Sequence, residues 1–188
     1  MTMEIDIDKA KITTLIDKDF YQLFNLEPDF NLDLAVLKLH YHQLQQQYHP
    51  DNHNHINTSE INKKLILQLS AHINKGYETL TSALTRALYL LSLNEVSVDL
   101  SCNNKMDYDF LNEQIELREV MMQYEQVHDI DKLEVLEHRI MVKYRQICVD
   151  LQLCFAKKHY NDAVLLVRKL AFFEKLSKEV SDLISGML

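Results

Sequence analysis

The sequence predicts an all-α protein, and three observations predict it. The 188 residues hold only 2 Gly and 2 Pro, so few positions can break a helix or build the tight turns of a sheet. Apolar residues recur mostly at steps of three and four rather than two. Hydrophobic residues make up 47% of the chain, ample for a packed core, and the length allows one or two domains. The formal charge of -8 argues against a broad electrostatic grip on nucleic acid or an anionic membrane and points to a protein or small-molecule partner. Neither a signal peptide nor an 18-residue apolar run is present, which supports no secretion and no membrane span. Cys102, Cys148 and Cys154 form no C-x-x-C pair and read as reduced thiols of a cytoplasmic protein.

Residues 1–18 mix Asp and Lys with a few isoleucines and read as a short N-terminal extension, frayed or weakly docked. Asp19 to Phe24 forms a short helix, and Glu27-Pro28-Asp29 a turn. Asp33 is placed to cap a helix over 34–48, whose stripe is Leu34, Leu37, Tyr41, Leu44 and Tyr48. Pro50 has no amide hydrogen and disfavours helix in the residue before it, so this helix ends near Tyr48 or His49 and leaves His49-Pro50-Asp51 on a loop. Asn57 with Glu60 fits a capping box for a second long helix, striped by Leu69, Ile73, Tyr77, Leu80, Leu84, Ala87 and Leu91. Gly76 inside it costs about 1 kcal/mol relative to Ala, which predicts that another side chain packs closely there. These helices make a domain of residues 19–91. Residues 92–104 lose the pattern and read as a linker. Three further helices, 105–127, 130–157 and 160–186, are joined by connections short enough to make them antiparallel neighbours, a three-helix bundle over 105–188.

Two places carry surplus chemistry. At the tip between the first two long helices, Pro50 rigidifies the loop while His49 and Asp51 offer hydrogen bonds and charge to a partner at low ordering cost, which is recognition rather than catalysis. In the bundle, Phe110, Leu117, Met121 and Tyr124 lie within about 60° of one another, and Leu111, Ile115 and Met122 sit about 100–140° further round. The last helix has Ala163, Leu166, Val167, Leu170 and Phe173 on one face and Leu165, Phe172 and Leu176 on roughly the opposite one. One stripe suffices for a core, so each helix has a second apolar stripe of the kind that binds protein, with Phe172 the preferred anchor. His40, His42, His49, His53 and His55 could bind adventitious metal, but no fixed Cys or carboxylate set completes a tetrahedral site. Glu125 with His128 is the one Glu-x-x-His step on the bundle helices, short of the inward-facing pairs a di-iron site needs. No metal site, cofactor or enzyme activity is predicted.

Two antiparallel helices with His49-Pro50-Asp51 at their tip resemble the J-domain of co-chaperones that drive DnaK-type ATPases. The likeness extends to the HscB co-chaperones of iron-sulfur cluster assembly. It is carried by Asp19 to Leu26, Leu44 to Asp51, Ile73 to Leu80, Arg86 to Leu91, Phe110 to Glu119 and Val167 to Leu176, in one order over residues 19–186. The resemblance implies an L-shaped molecule in which an N-terminal J-domain stimulates ATP hydrolysis by the chaperone HscA through His49, Pro50 and Asp51. A C-terminal three-helix bundle would bind the scaffold protein IscU through positions matching Leu111, Ile115, Glu116, Arg118, Glu119 and Phe172. The position two before Tyr48, commonly basic, is Gln46, and the Lys that usually follows Asp51 is Asn52, so docking on the ATPase leans on Lys38, His40 and His42. Asn112 stands where an apolar residue is expected beside Leu111. A J-domain co-chaperone for a different client would keep the loop and change only the bundle surface.

Overall fold

A computed structural model describes residues 9–50, 60–100 and 106–188. The described residues hold eight helices and no strand. The chain divides into two compact units, Met1–Leu90 and Leu91–Leu188.

In the first unit, α1 (Lys9–Ile16) is held rather than frayed: Ile12 is buried against α4 (Glu60–Thr81), and the ring of His72 on α4 donates from Nε2 to the Lys18 carbonyl at 3.1 Å. Of the two states the sequence left open for this extension, it is the docked one that α1 adopts. α2 (Phe20–Leu23) starts at Asp19, whose carboxylate accepts the Gln22 amide at 2.9 Å. It throws Tyr21 and Phe24 into the core, both essentially inaccessible. Gly76 sits where this helix meets α4: a Cβ there would lie 2.9 Å from the Phe20 ring and 3.0 Å from that of Phe24, the close packing its position predicted. Asp33 caps α3 (Leu34–Tyr48) as expected, accepting the amides of Ala35 and Val36 at 2.9 and 3.2 Å. α3 and α4 pack through stacked Tyr41 and Tyr77, ring centroids 4.0 Å apart, with Tyr41 and Gln45 both donating to the Asn74 carboxamide oxygen. Leu37 and Tyr48 of the predicted stripe are buried, whereas Leu34 is 45% exposed. Asn57, the first partner of the predicted capping box with Glu60, lies outside the described residues.

The second long helix breaks at Ser82, giving α4 and α5 (Ala83–Leu93). The bend removes helical partners from the last carbonyls of α4, and side chains replace them: Thr85 Oγ1 donates to the Thr79 carbonyl at 2.7 Å and Arg86 Nη1 to that of Leu80 at 2.6 Å. Arg86 is itself buried, its guanidinium 5.1 Å above the Phe30 ring.

In the second unit, residues 94–100, within the stretch read as a linker, are tied to the bundle. Tyr160 donates its hydroxyl to the Asn94 side chain at 2.7 Å, and Arg168 Nε donates to the Asp99 carbonyl at 3.3 Å. The bundle is α6 (Tyr108–Gln126), α7 (Ile130–Ala156) and α8 (Tyr160–Met187). Its core joins Leu133, Leu136, Ile140, Ile147 and Leu151 of α7 to Ala163, Val167, Leu170, Phe173, Leu176, Val180 and Ile184 of α8. α6 adds only Phe110, Leu117 and Met121, so it lies on an α7–α8 hairpin more than it interdigitates with it. Cys148 and Cys154 are half-buried on α7, and burial pushes the Cys154 thiol above its ordinary pKa.

Chain reversals follow one recipe. Asn25, Glu95, His128 and Lys158 adopt φ between 50° and 60° just past a helix end. After each, two amides turn back onto the last-turn carbonyls, as with His128 N to Glu125 O at 3.1 Å and Asp129 N to Tyr124 O at 3.0 Å. This is the Schellman closure, built without the glycine that usually occupies it.

Candidate functional site

The two places singled out from the sequence fall on different units. At the first, α3 ends at Tyr48, and His49 is extended at φ -66°, ψ 133°, the conformation that a following proline imposes. His49 is exposed and Pro50 half-buried; Asp51 and Asn52 lie outside the described residues. Lys38 and His42, four residues apart, are both exposed and share one face of α3. His40 does not join them. Its side chain is half-buried, and Nδ1 donates to the Phe24 carbonyl at 2.6 Å, so this imidazole fastens α2 to α3. Of the three residues expected to form a docking face, Lys38 and His42 share the exposed side of α3, with exposed Leu39 beside them.

At the second, α6 is fixed to its neighbours by charged pairs at its N-cap and in its middle. Asp107 caps it, one oxygen accepting the Phe110 amide at 2.7 Å and the other Lys169 Nζ of α8 at 2.8 Å. The Lys169 ammonium and then the Phe110 amide hold the Asp107 carboxyl below the usual carboxylate range. Lys143 of α7 pairs with Glu113 at 2.9 Å, and Arg118 Nη1 with Glu179 of α8 at 3.0 Å. Along and beyond these anchors α6 turns Ile115, 57% exposed, and Met122, 53% exposed, to solvent, beside exposed Glu116 and Glu119, with Leu111 half-buried at the start of the row.

Phe172 on α8 is the aromatic of this surface. It is half-buried, edge-on to Phe110 at 5.6 Å and to Phe173 at 5.2 Å, and the Arg118 guanidinium lies 5.7 Å from its ring. Three rigid neighbours thus fix one ring while leaving part of it uncovered, which lowers the ordering cost of binding. Arg118 belongs to this support as much as to the surface. The expected surplus stripe on α8 is narrower than the sequence indicated: Leu165 is half-buried, but Leu176 is wholly buried in the core. A 3.6-residue period puts Phe172 and Leu176 on neighbouring sides of the helix, and the broad contact of α7 with α8 claims the second.

Glu179, Lys175 and Arg168 escaped the sequence reading. Lys175 and Glu179 follow Phe172 by three and seven residues, one face of a helix, and that spacing is the signal that finds them. The described residues show no cluster of His, Cys, Asp or Glu able to hold a metal ion, and no described helix is long and apolar enough to cross a membrane.

Known proteins share this organisation. A family model described as the HSCB C-terminal oligomerisation domain matches residues 106–181. The co-chaperone protein HscB homolog of Aromatoleum aromaticum is 34% identical over 173 residues, which is 92% of this chain and 97% of that protein. The homolog of Shewanella loihica is 34% identical over 169 residues, covering 86% and 95%. Among solved structures, the chaperone HscB from Vibrio cholerae superposes with a TM-score of 0.82 at 31% identity, over 91% of this chain and 100% of that one. The human co-chaperone protein HscB gives 0.82 at 25% identity, over 88% and 81%. With an N-terminal helical hairpin interrupted by His49-Pro50, a C-terminal three-helix bundle, and relatives matched along nearly their whole length, the chain belongs to the HscB family of co-chaperones.

Proposed function

We propose that this chain is a bridging co-chaperone of iron-sulfur cluster assembly. The α6–α8 face binds the scaffold protein IscU, and the loop His49-Pro50-Asp51, with Lys38 and His42 beside it, engages the DnaK-type chaperone HscA and stimulates its ATP hydrolysis. The chain itself catalyses no reaction and works in the cytoplasm. The observation that carries the scaffold end is Phe172, a large aromatic pinned by Phe110, Phe173 and Arg118 yet part-exposed beside Ile115 and Leu111. Monomeric surfaces seldom spend so much packing on an uncovered ring unless a partner completes it.

Coupling runs through the partner. Presenting the scaffold while triggering hydrolysis stabilises the chaperone state that holds the scaffold, so each ligand's effect is felt at the other's site. Single-turnover ATP hydrolysis by HscA is the test, with this chain, with IscU, and with both. Stimulation by the pair well beyond the sum of each alone is expected. Stimulation indifferent to IscU would leave a J-domain co-chaperone serving a different client, and no stimulation by the chain would remove the proposal.

A further inference from the structure

A hollow of about 460 Å³ opens between α6, α8 and the segment around Leu100, floored by Phe110 and Phe172. Its charged lining residues are Arg118, Arg168 and Lys175, all cations, in a chain whose formal charge is -8. Glu179, outside the lining, is shared by two of them: it pairs with Arg118 at 3.0 Å and stands 3.9 Å from Lys175. Among the described residues that line the hollow, the charged ones are all cations and none is a carboxylate.

Arg168 is the least satisfied of the three. Its Nε donates to the Asp99 carbonyl at 3.3 Å, while Nη1 is buried with no hydrogen-bond partner among the described residues. Arg168 also lines the hollow, and a planar fork of guanidinium N–H groups is best matched by a carboxylate. Beside the Phe110 and Phe172 rings, water is partly displaced, so a charge pair here is screened less than one on the open surface.

We infer that this hollow is a subsite for an acidic side chain of the protein that docks on the α6–α8 face, with Arg168 and Lys175 reading the carboxylate while Phe172 takes the adjoining apolar group. The inference rests on the proposed scaffold binding and adds its charge specificity. A polyanion such as nucleic acid is the poorer occupant, because the rest of a chain at -8 repels it while one Asp or Glu feels mainly the local cations.

The test is titration of the purified full-length chain with the iron-sulfur scaffold protein at low and high salt, using wild type, Lys175→Gln, Arg168→Gln and the double variant. Wild-type affinity should fall as salt rises. The double variant should bind about tenfold more weakly at low salt and show a markedly flatter salt dependence. Lys175 is 72% exposed, so Lys175→Gln keeps the fold and should alone show part of both effects even if Arg168→Gln proves unstable. Wild-type affinity and an unchanged salt slope in Lys175→Gln and in a folded double variant would overturn the inference and leave scaffold binding standing. If wild type itself fails to bind the scaffold, the proposed function falls first, and this subsite with it.

Discussion

Burial pushes the Glu174 carboxyl above its ordinary pKa, and its Oε2 is buried without a hydrogen-bond partner among the described residues. A carboxyl whose folded pKa is raised binds its proton more tightly in the native state, so its contribution is full in acid and is lost as pH rises through the folded value. Neutral pH is therefore where Glu174 weakens the fold. Glu174→Gln should raise the urea midpoint at pH 7, and the gain should vanish below about pH 4, where both states of Glu174 are protonated; equal midpoints for both proteins across that range would show that the carboxylate reaches water. Phe172 poses the complementary residue-scale question, since its ring is ordered before any partner arrives. Phe172→Ala should weaken scaffold binding by about 2 kcal/mol or more, as expected for an interface hot spot, and calorimetry giving wild-type affinity would remove it from the site.

At the scale of elements, the helix ends are the unusual feature. Lys158, with φ 58°, and His128, with φ 51°, hold left-handed positions where a Cβ is disfavoured. Lys158→Gly should stabilise the α7–α8 turn by roughly 0.5–1 kcal/mol, the relief of left-handed strain less the entropy glycine adds to the unfolded chain, and a lowered thermal midpoint would contradict it. These closures also mark what the sequence could announce. Proline and aspartate signals are local, so the caps at Asp33 and the stop before Pro50 are legible in the residues themselves. Lys158 in a glycine's place is silent, because only the backbone geometry records it. The same limit hid the break at Ser82, where apolar spacing runs on across the bend and Thr85 and Arg86 supply the replaced hydrogen bonds. Gly76 was readable because a missing side chain inside a helix implies something large against it, here Phe20.

At the scale of the molecule, periodicity revealed the two helical groups and the surplus face of α6, but not which side chains would be diverted to structure. His40 looked like surface until its ring found the Phe24 carbonyl, and Leu176 looked uncovered until α7 packed over it. Long-range hydrogen bonds and helix pairings are not encoded at any fixed spacing, so they remain invisible along the chain. Since the proposed activities sit on separate units, they should separate by mutation. His49→Gln should abolish stimulation of the chaperone's ATPase while leaving scaffold affinity unchanged, with circular dichroism confirming the fold; loss of scaffold binding in that variant would tie the two ends together. One last feature bears on the cargo. Burial raises the pKa of the Cys154 thiol, so the thiolate that ligates metal is scarcer there than at an ordinary cysteine. On the proposed function, that lowers the tendency of this side chain to draw metal from the scaffold it accompanies.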